Sequence, residues 1–139
     1  MNGALLLAAE TFVWGVQGIC RLHLLPCNPK LVLQQFPPPY DLLTLQQAAT
    51  ALGLRSGLRP AETLGLPLFP VPFVALLKPK SVSQAGRLAL ILKCNEHAIT
   101  YLDEDTHHSL TRTLDDFRPQ FAGMVMLCVP GQEKSQTEL

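Results

Sequence analysis

The spacing of apolar residues changes along this chain near Gly53. Before that glycine, apolar residues recur every three to four positions, which is typical of helices with a buried face. After it, alternation and short apolar runs predominate, which is typical of strands joined by hairpin-length connections. The pattern predicts an α+β fold in which N-terminal helices pack on a mostly antiparallel β-sheet.

Three helices are predicted in the first part of the chain. Residues 8–25 form the first, which is apolar on most of its circumference and therefore buried. Asn28 is placed to cap a short second helix that stops at the prolines at 37–39. Asp41 is placed to cap a third helix, which ends at Gly53.

The second part of the chain is predicted to form the sheet. Strands are expected at 54–60, 69–78, 87–94, 98–103, 109–114 and 123–129, with a short helix at 115–121. Pro70 and Pro72 suit only an edge strand or the beginning of a strand. An exposed edge at 69–73 would be able to accept an extended peptide by strand addition.

Length and charge indicate one domain without a nucleic-acid partner. The 139 residues suffice for a single core, and 47% of them are hydrophobic. Residues 1–130 are predicted to form this domain, and the polar residues 131–139 a tail or linker toward a transmembrane domain outside this chain. Eleven basic residues balance eleven acidic ones, so no net charge draws the protein to phosphate backbones.

Cysteine and histidine spacing indicates neither a metal nor a cofactor. The four cysteines lack a C-x-x-C pair, which argues against a zinc framework and favours a reducing compartment; they are Cys20, Cys27, Cys94 and Cys128. The acidic, histidine-containing stretch at 103–109 has His108 where a calcium loop needs glycine. Adjacent His107 and His108 would point apart on a strand, so a solvated hairpin turn is predicted instead.

Several stretches of the sequence, in their order, carry a resemblance. They are CNPKLVLQQF (27–36), LTLQQAATALGLRSGLRP (43–60), LGLPLFPVPFVALL (64–77), RLALILKC (87–94), AITYLDEDT (98–106) and LDDFRPQFAGMVMLCVP (114–130). Together they resemble the bacteriocin-processing cysteine peptidase domains at the N-terminus of certain ABC exporters. The resemblance implies a papain-like fold.

The resemblance also implies where catalytic groups would stand. In such peptidases a cysteine at the start of the buried helix is the nucleophile, a histidine takes its proton and an aspartate orients the histidine. The nucleophile position falls on Thr11 and the histidine position on Leu88. The oxyanion-donating glutamine position falls near Leu5, and only the acid is retained, as Asp103 or Asp105. The resemblance therefore implies a degenerate domain that is not an enzyme.

Cys20 does not replace the missing nucleophile in this interpretation. It lies nine residues after Thr11, about 13 Å further along the helix, where burial raises a thiol pKa and the helix dipole no longer lowers it. We therefore interpret Cys20 as a core residue. The alternative is a divergent cysteine peptidase that cleaves a leader peptide and uses Cys20 or Cys27 with His97 and Asp103.

The resemblance implies a function in secretion. In type I secretion ABC exporters the same domain occurs without the cysteine and is regarded as a cytosolic docking site for the unfolded substrate. It implies a cytoplasmic domain of an inner-membrane transporter in a Gram-negative bacterium, with the rest of the exporter and an unfolded substrate of the repeat-in-toxin type as partners. Thr11, Trp14, Leu88 and Asp103 are expected to line the binding groove. A stand-alone adaptor domain is the third interpretation.

Overall fold

Helix caps predicted from the sequence organise the first part of the fold. The computed structural model describes residues 5–81, 84–106 and 108–130. Its N-terminal helices are α1 (Ala9–Leu22), α2 (Pro29–Gln35) and α3 (Leu42–Ala51). The Asn28 side chain accepts from Lys30 N at 3.0 Å, and the Asp41 side chain accepts from Thr44 N at 2.9 Å. Both predicted caps are confirmed. Within the described part of the chain, no helix is long and apolar enough to cross a membrane.

The first helix is shorter than predicted at its C-terminal end. It ends at Leu22 instead of continuing to Leu25. Leu24 adopts the left-handed conformation, with φ 57°, and Leu25 N donates back to Cys20 O at 2.8 Å. The left-handed residue turns the chain out of the helix just before Pro26, which restricts the preceding residue to extended conformations.

The remaining elements form one antiparallel sheet and a short helix. The strands are β1 (Leu54–Pro60), β2 (Phe73–Leu77), β3 (Arg87–Cys94), β4 (Ala98–Asp103), β5 (Leu110–Thr113) and β6 (Phe121–Pro130). Their order across the sheet is β1-β6-β2-β3-β4-β5, and every neighbouring pair is antiparallel. Helix α4 (Leu114–Phe117) and 3-10 helices at Thr63–Leu68 and Arg118–Gln120 lie between strands.

The prediction that an accessible sheet edge lies near residues 69–73 is wrong. Strand β2 pairs with β3 on one side and β6 on the other, and all five of its residues are buried. Pro70 and Pro72 precede the strand, so the alternative position at its beginning is the observed one. The edges of the sheet are β1 and β5.

The chain from 114 to 123 also differs from the prediction. A helix at 115–121 was expected, whereas α4 covers only Leu114–Phe117 and the last strand already begins at Phe121. The Thr113 hydroxyl accepts from Asp116 N at 3.1 Å and starts this short helix. The 3-10 turn that follows contains Pro119, which cannot donate a helical hydrogen bond, and it ends the helix early.

Close packing of α1 on β3 fixes the position of the helix. A Cβ added at Gly15 would lie 2.8 Å from Leu88 Cδ1, and one added at Gly18 would lie 2.3 Å from Leu90 Cδ1. Because both glycines lack a side chain, the helix axis approaches the sheet directly. Gly86 N, just before β3, donates to Leu6 O at 2.8 Å and holds the segment that leads into α1.

Candidate functional site

Thr11, at the predicted nucleophile position, is engaged in a hydrogen bond. Thr11 lies in the first turn of α1 and is only 5% exposed. Its Oγ1 donates to Glu104 Oε1 at 2.6 Å, and Glu104 directly follows β4. A hydroxyl has no accessible anionic form comparable with a thiolate, and here its proton is directed to a carboxylate.

Sequence reasoning missed Glu104. The bond to Thr11 joins residues that are 93 positions apart in the sequence. No local sequence pattern predicts such a contact. The resemblance drew attention to Asp103 and Asp105, the two acidic residues on either side of it. The only available signal was that three consecutive carboxylates, at 103–105, follow a predicted strand.

Asp103, the acid that the resemblance predicts to be retained, stabilises the loop after β4. Asp103 Oδ1 accepts from Asp105 N and Thr106 N, both at 3.1 Å, and from Thr106 Oγ1 at 3.0 Å. These bonds form a side-chain-closed turn, which confirms the predicted hairpin turn. His108 is exposed, and His107 lies outside the described residues. Among the residues that the structure describes, no three His, Cys, Asp or Glu side chains are grouped to hold a metal.

The predicted histidine position, at Leu88, is apolar and closed. Leu88 is fully buried on β3, with its side chain directed at Gly15 of α1. Leu5, at the glutamine position, is half-buried and lies beside Gly86. Thr11 thus meets the end of β4, while Leu88 lies beneath the helix and offers no group that accepts or donates a proton.

A groove lies beside Thr11, further along the same helix. It encloses about 250 Å³ between α1 and strands β3 and β4. Its lining residues combine an apolar floor with a polar rim: Trp14, Gln17, Gly18, Arg21, Leu22, Leu90, Leu102, Asp103 and Thr106. Trp14 and Asp103 belong to the predicted set, and neither Thr11 nor Leu88 is among the lining residues. Gln17 and Arg21 were missed, although their spacing from Trp14 places all three on one helix face.

The groove has the size and chemistry for part of an extended chain. Its volume lies below the range of about 300–1,000 Å³ that is typical of pockets for drug-sized ligands. One or two side chains are therefore the appropriate occupants. The half-buried Trp14 and the exposed Arg21 provide an aromatic surface and a cation, and Leu90 and Leu102 provide the floor.

The residues of the alternative peptidase are not assembled. Cys20 is 1% exposed, and burial raises its pKa to about 11, with the neighbouring Cys27 adding to the shift. His97 lies on the turn before β4 and Asp103 at the far end of that strand, about 20 Å away for a rise of 3.3 Å per residue. The His97 side chain is 87% exposed and lies beside Glu96.

Cys128 and His23 line one crevice, but their pKa shifts disfavour the charged forms that nucleophilic catalysis needs. The crevice encloses about 10 Å³, too little for a peptide. Burial raises the pKa of Cys128 to about 12 and lowers the pKa of His23. Both shifts favour the uncharged forms, whereas a catalytic pair needs the thiolate and the imidazolium.

Two solved structures that match this fold are peptidase domains of transporters. The peptidase domain of Streptococcus ComA, a bi-functional ABC transporter involved in quorum sensing, matches with a TM-score of 0.74 and 10% identity, over 91% of this chain and 98% of that chain. A double-glycine-motif protease from an AMS/PCAT transporter, in complex with the leader peptide, matches with a TM-score of 0.73 and 12% identity, over 89% and 86%.

A third structure is described as peptidase-like. The N-terminal peptidase C39-like domain of the toxin secretion ATP-binding protein from Vibrio parahaemolyticus matches with a TM-score of 0.67 and 17% identity, over 86% of this chain and 96% of that chain. Neither a protein-family model nor a curated protein sequence matches this chain. The structural matches establish that it has the papain-like fold of C39 peptidase domains, as the resemblance implies.

Proposed function

We propose that this chain is a non-catalytic, peptidase-like domain of a type I secretion ABC exporter, and that it docks the unfolded secretion substrate. The proposal rests on the residues that occupy the two positions where the resemblance places the cysteine and histidine of a C39 peptidase. Thr11 donates its hydroxyl proton to Glu104, and Leu88 is buried beneath α1. The scaffold is retained while the groups that would attack a peptide bond are replaced.

The groove on α1 is the proposed docking site. An extended chain would lay side chains over Trp14 and the floor formed by Leu90 and Leu102, while Gln17 and Arg21 are placed to meet main-chain or side-chain polar groups. A contact of this size buries little surface, so binding is weak and reversible. Those are useful properties for a site that must release its substrate to a transporter. The groove residues expected from the resemblance also include Thr11 and Leu88. Binding at these residues would place the substrate nearer the start of α1.

The structural relatives support a transporter as partner, and the proposed substrate type and location rest on the resemblance of the sequence. All three are named as parts of transport systems, and one belongs to a toxin secretion protein. We accordingly propose the rest of an ABC exporter as one partner, an unfolded protein of the repeat-in-toxin type as the other, and the cytosolic side of a Gram-negative inner membrane as the location. No cofactor is proposed for this domain.

Trp14 gives a direct test, because it is the only tryptophan in the chain and it lines the groove. Its fluorescence is to be followed while a reduced, carbamidomethylated protein without tryptophan is added. The disulfide-intact, folded form of the same protein is the matched control. We expect a saturable change with the unfolded form alone, and we expect the added polypeptide to remain intact. Cleavage would favour the divergent leader peptidase instead.

A further inference from the structure

A second, larger hollow lies away from the α1 groove and shares no lining residue with it. It encloses about 620 Å³ and opens where β1 and β2 end and β6 begins. Its apolar lining includes Leu64, which is 70% exposed, and Phe121. Its charged lining consists of Lys78, Arg118 and Glu62. Its volume falls within the range of about 300–1,000 Å³ that is typical of ligand pockets.

Hydrogen bonds fix the wall that carries Lys78. Its backbone N donates to Gln120 O at 2.7 Å, and its carbonyl accepts from Arg87 Nε at 3.0 Å. The Gln120 side chain in turn donates to Tyr101 Oη at 3.1 Å. Because the backbone around Lys78 is bonded on both sides, its side chain extends into the hollow from a fixed Cα.

Gly123 shapes the opposite wall. It has a φ of 94°, a left-handed conformation that favours glycine, and its carbonyl accepts from Ala61 N at 2.9 Å. This contact joins the chain leaving β1 to the bend in β6. The hollow is therefore bounded by hydrogen-bonded backbone on both sides.

The charges of the hollow favour an anion. Lys78 and Arg118 oppose the single carboxylate of Glu62 in the lining, in a protein whose net charge is zero. Arg118 Nη2 pairs with Asp115 Oδ1 at 3.3 Å, but that pair is exposed, so a ligand carboxylate can compete for the guanidinium at little cost. Arg87 lies outside the lining and binds the backbone carbonyl of Lys78. Leu64 adds exposed apolar surface to this site, and the buried Phe121 lies at its base.

We propose that this hollow binds an acidic, aliphatic segment of an extended polypeptide, as a second anchor for the chain held at the α1 groove. This inference rests on the proposed docking function and adds the chemistry of the segment that is recognised. A carboxylate of the segment meets Lys78 and Arg118, and a neighbouring aliphatic side chain packs on the exposed Leu64. The two anchors bind different parts of one polypeptide. When one part is bound, the effective concentration of the other part at the second anchor is raised.

Short synthetic peptides test the hollow by itself. One peptide alternates leucine with aspartate, and two matched peptides carry asparagine or lysine in place of aspartate. We expect the aspartate peptide alone to shift the backbone amide resonances of Thr63, Leu64 and Gly123. The double substitution Lys78→Gln with Arg118→Gln should weaken its binding about fivefold, as expected for the loss of two exposed charge contacts. Lys93→Gln, on β3 outside the lining, is the control and should leave binding unchanged.

Salt and the Trp14 signal separate this inference from the docking proposal. Raising NaCl from about 0.1 to about 1 M shortens the screening length from roughly 10 to 3 Å and should weaken binding of the aspartate peptide. Equal binding of the lysine peptide, undiminished binding by the double variant, or no shift with any peptide would overturn the acidic anchor. If the unfolded polypeptide still changed Trp14 fluorescence, docking at the α1 groove would stand without it.

Discussion

Thr11 Oγ1 and Glu104 Oε1 are joined by a 2.6 Å hydrogen bond between the first turn of α1 and the residue after β4. The carboxylate therefore lies at the N-terminal end of a helix, where the helix dipole favours negative charge. A cysteine peptidase uses the same dipole to stabilise its thiolate. In this chain the Glu104 carboxylate lies there, and its bond to Thr11 connects the helix to the end of β4.

Thr11→Val should destabilise the fold through this bond. The substitution keeps the shape but removes the donor, and it leaves a half-buried carboxylate without that partner. We expect the free energy of unfolding to fall by about 1–2 kcal/mol, measured by urea denaturation. Thr111→Val is the control, because its hydroxyl pairs with Thr100 at the exposed edge of the sheet, and it should cost less than about 0.5 kcal/mol. Equal costs would contradict a structural role for the Thr11 bond.

Asp103 should behave as a turn residue. Its Oδ1 accepts three hydrogen bonds from residues 105 and 106. Asp103→Ala removes the acceptor and should lower the free energy of unfolding by about 1–2 kcal/mol. Asp103→Asn keeps a carbonyl oxygen as the acceptor and should cost clearly less. If alanine and asparagine were equally harmful, the negative charge would be the important feature and the turn would not explain the residue.

Gly18→Ala should disturb the contact between α1 and β3. The new Cβ would lie 2.3 Å from Leu90 Cδ1, so the buried leucine must leave its place. Overpacking of this kind costs about 1–3 kcal/mol, which thermal and urea unfolding would detect. Gly57→Ala on β1 is the matched control, because nothing lies within 4 Å of its added Cβ. A Gly18→Ala protein as stable as the control would show that the helix and strand do not pack this closely.

The buried thiols should be unreactive and should make the fold sensitive to alkali. Burial raises the pKa of Cys20 from 9.0 to about 11, so at pH 8 its thiolate fraction is roughly a hundredfold below that of a free cysteine. Iodoacetamide labelling of Cys20 in the folded protein should be slower by about that factor. Fast labelling of Cys20 at pH 8 would contradict its interpretation as a core residue and favour the divergent peptidase.

Cys128 gives the corresponding stability measurement. Its pKa is raised in the folded state to about 12 from 9.0, so the folded protein holds this proton more tightly than the unfolded chain. The stabilisation is complete below pH 9 and is lost as the pH rises toward 12, by at most about 1.4 kcal/mol per pH unit. Cys128→Ala should remove this part of the alkaline slope in urea denaturation. An unchanged slope would contradict the buried, protonated thiol.

Local signals in the sequence predicted the elements well. Asn28 and Asp41 cap the helices as expected because a cap acts within three residues of itself. The order of elements and the antiparallel sheet followed from periodicity and connection length. The strand order did not, because whether β2 is central or at an edge depends on which distant strand, here β6, pairs with its other side.

The candidate site was predictable only in part, for the same reason. Of Thr11, Leu88 and Asp103, which the resemblance predicted, only Asp103 lines the groove, and Glu104 became visible only when two segments far apart in the sequence were brought together. The predicted end of α1 was wrong because no local sequence signal indicates that the chain leaves the helix at Leu24. Leucine rarely adopts the left-handed conformation found there. The domain boundary at 130 stays a prediction, since residues 131–139 lie outside the described part of the chain.

Titration of Trp14 fluorescence with the unfolded polypeptide tests the central claim most directly. Our account predicts a saturable change for the unfolded form, little change for its folded form, and no cleavage of either. Arg21→Ala, at the rim of the groove, should weaken binding several-fold, whereas Arg112→Ala, on the exposed strand β5, should not. No response to the unfolded polypeptide, or an equal response to the folded form, would contradict docking at the α1 groove.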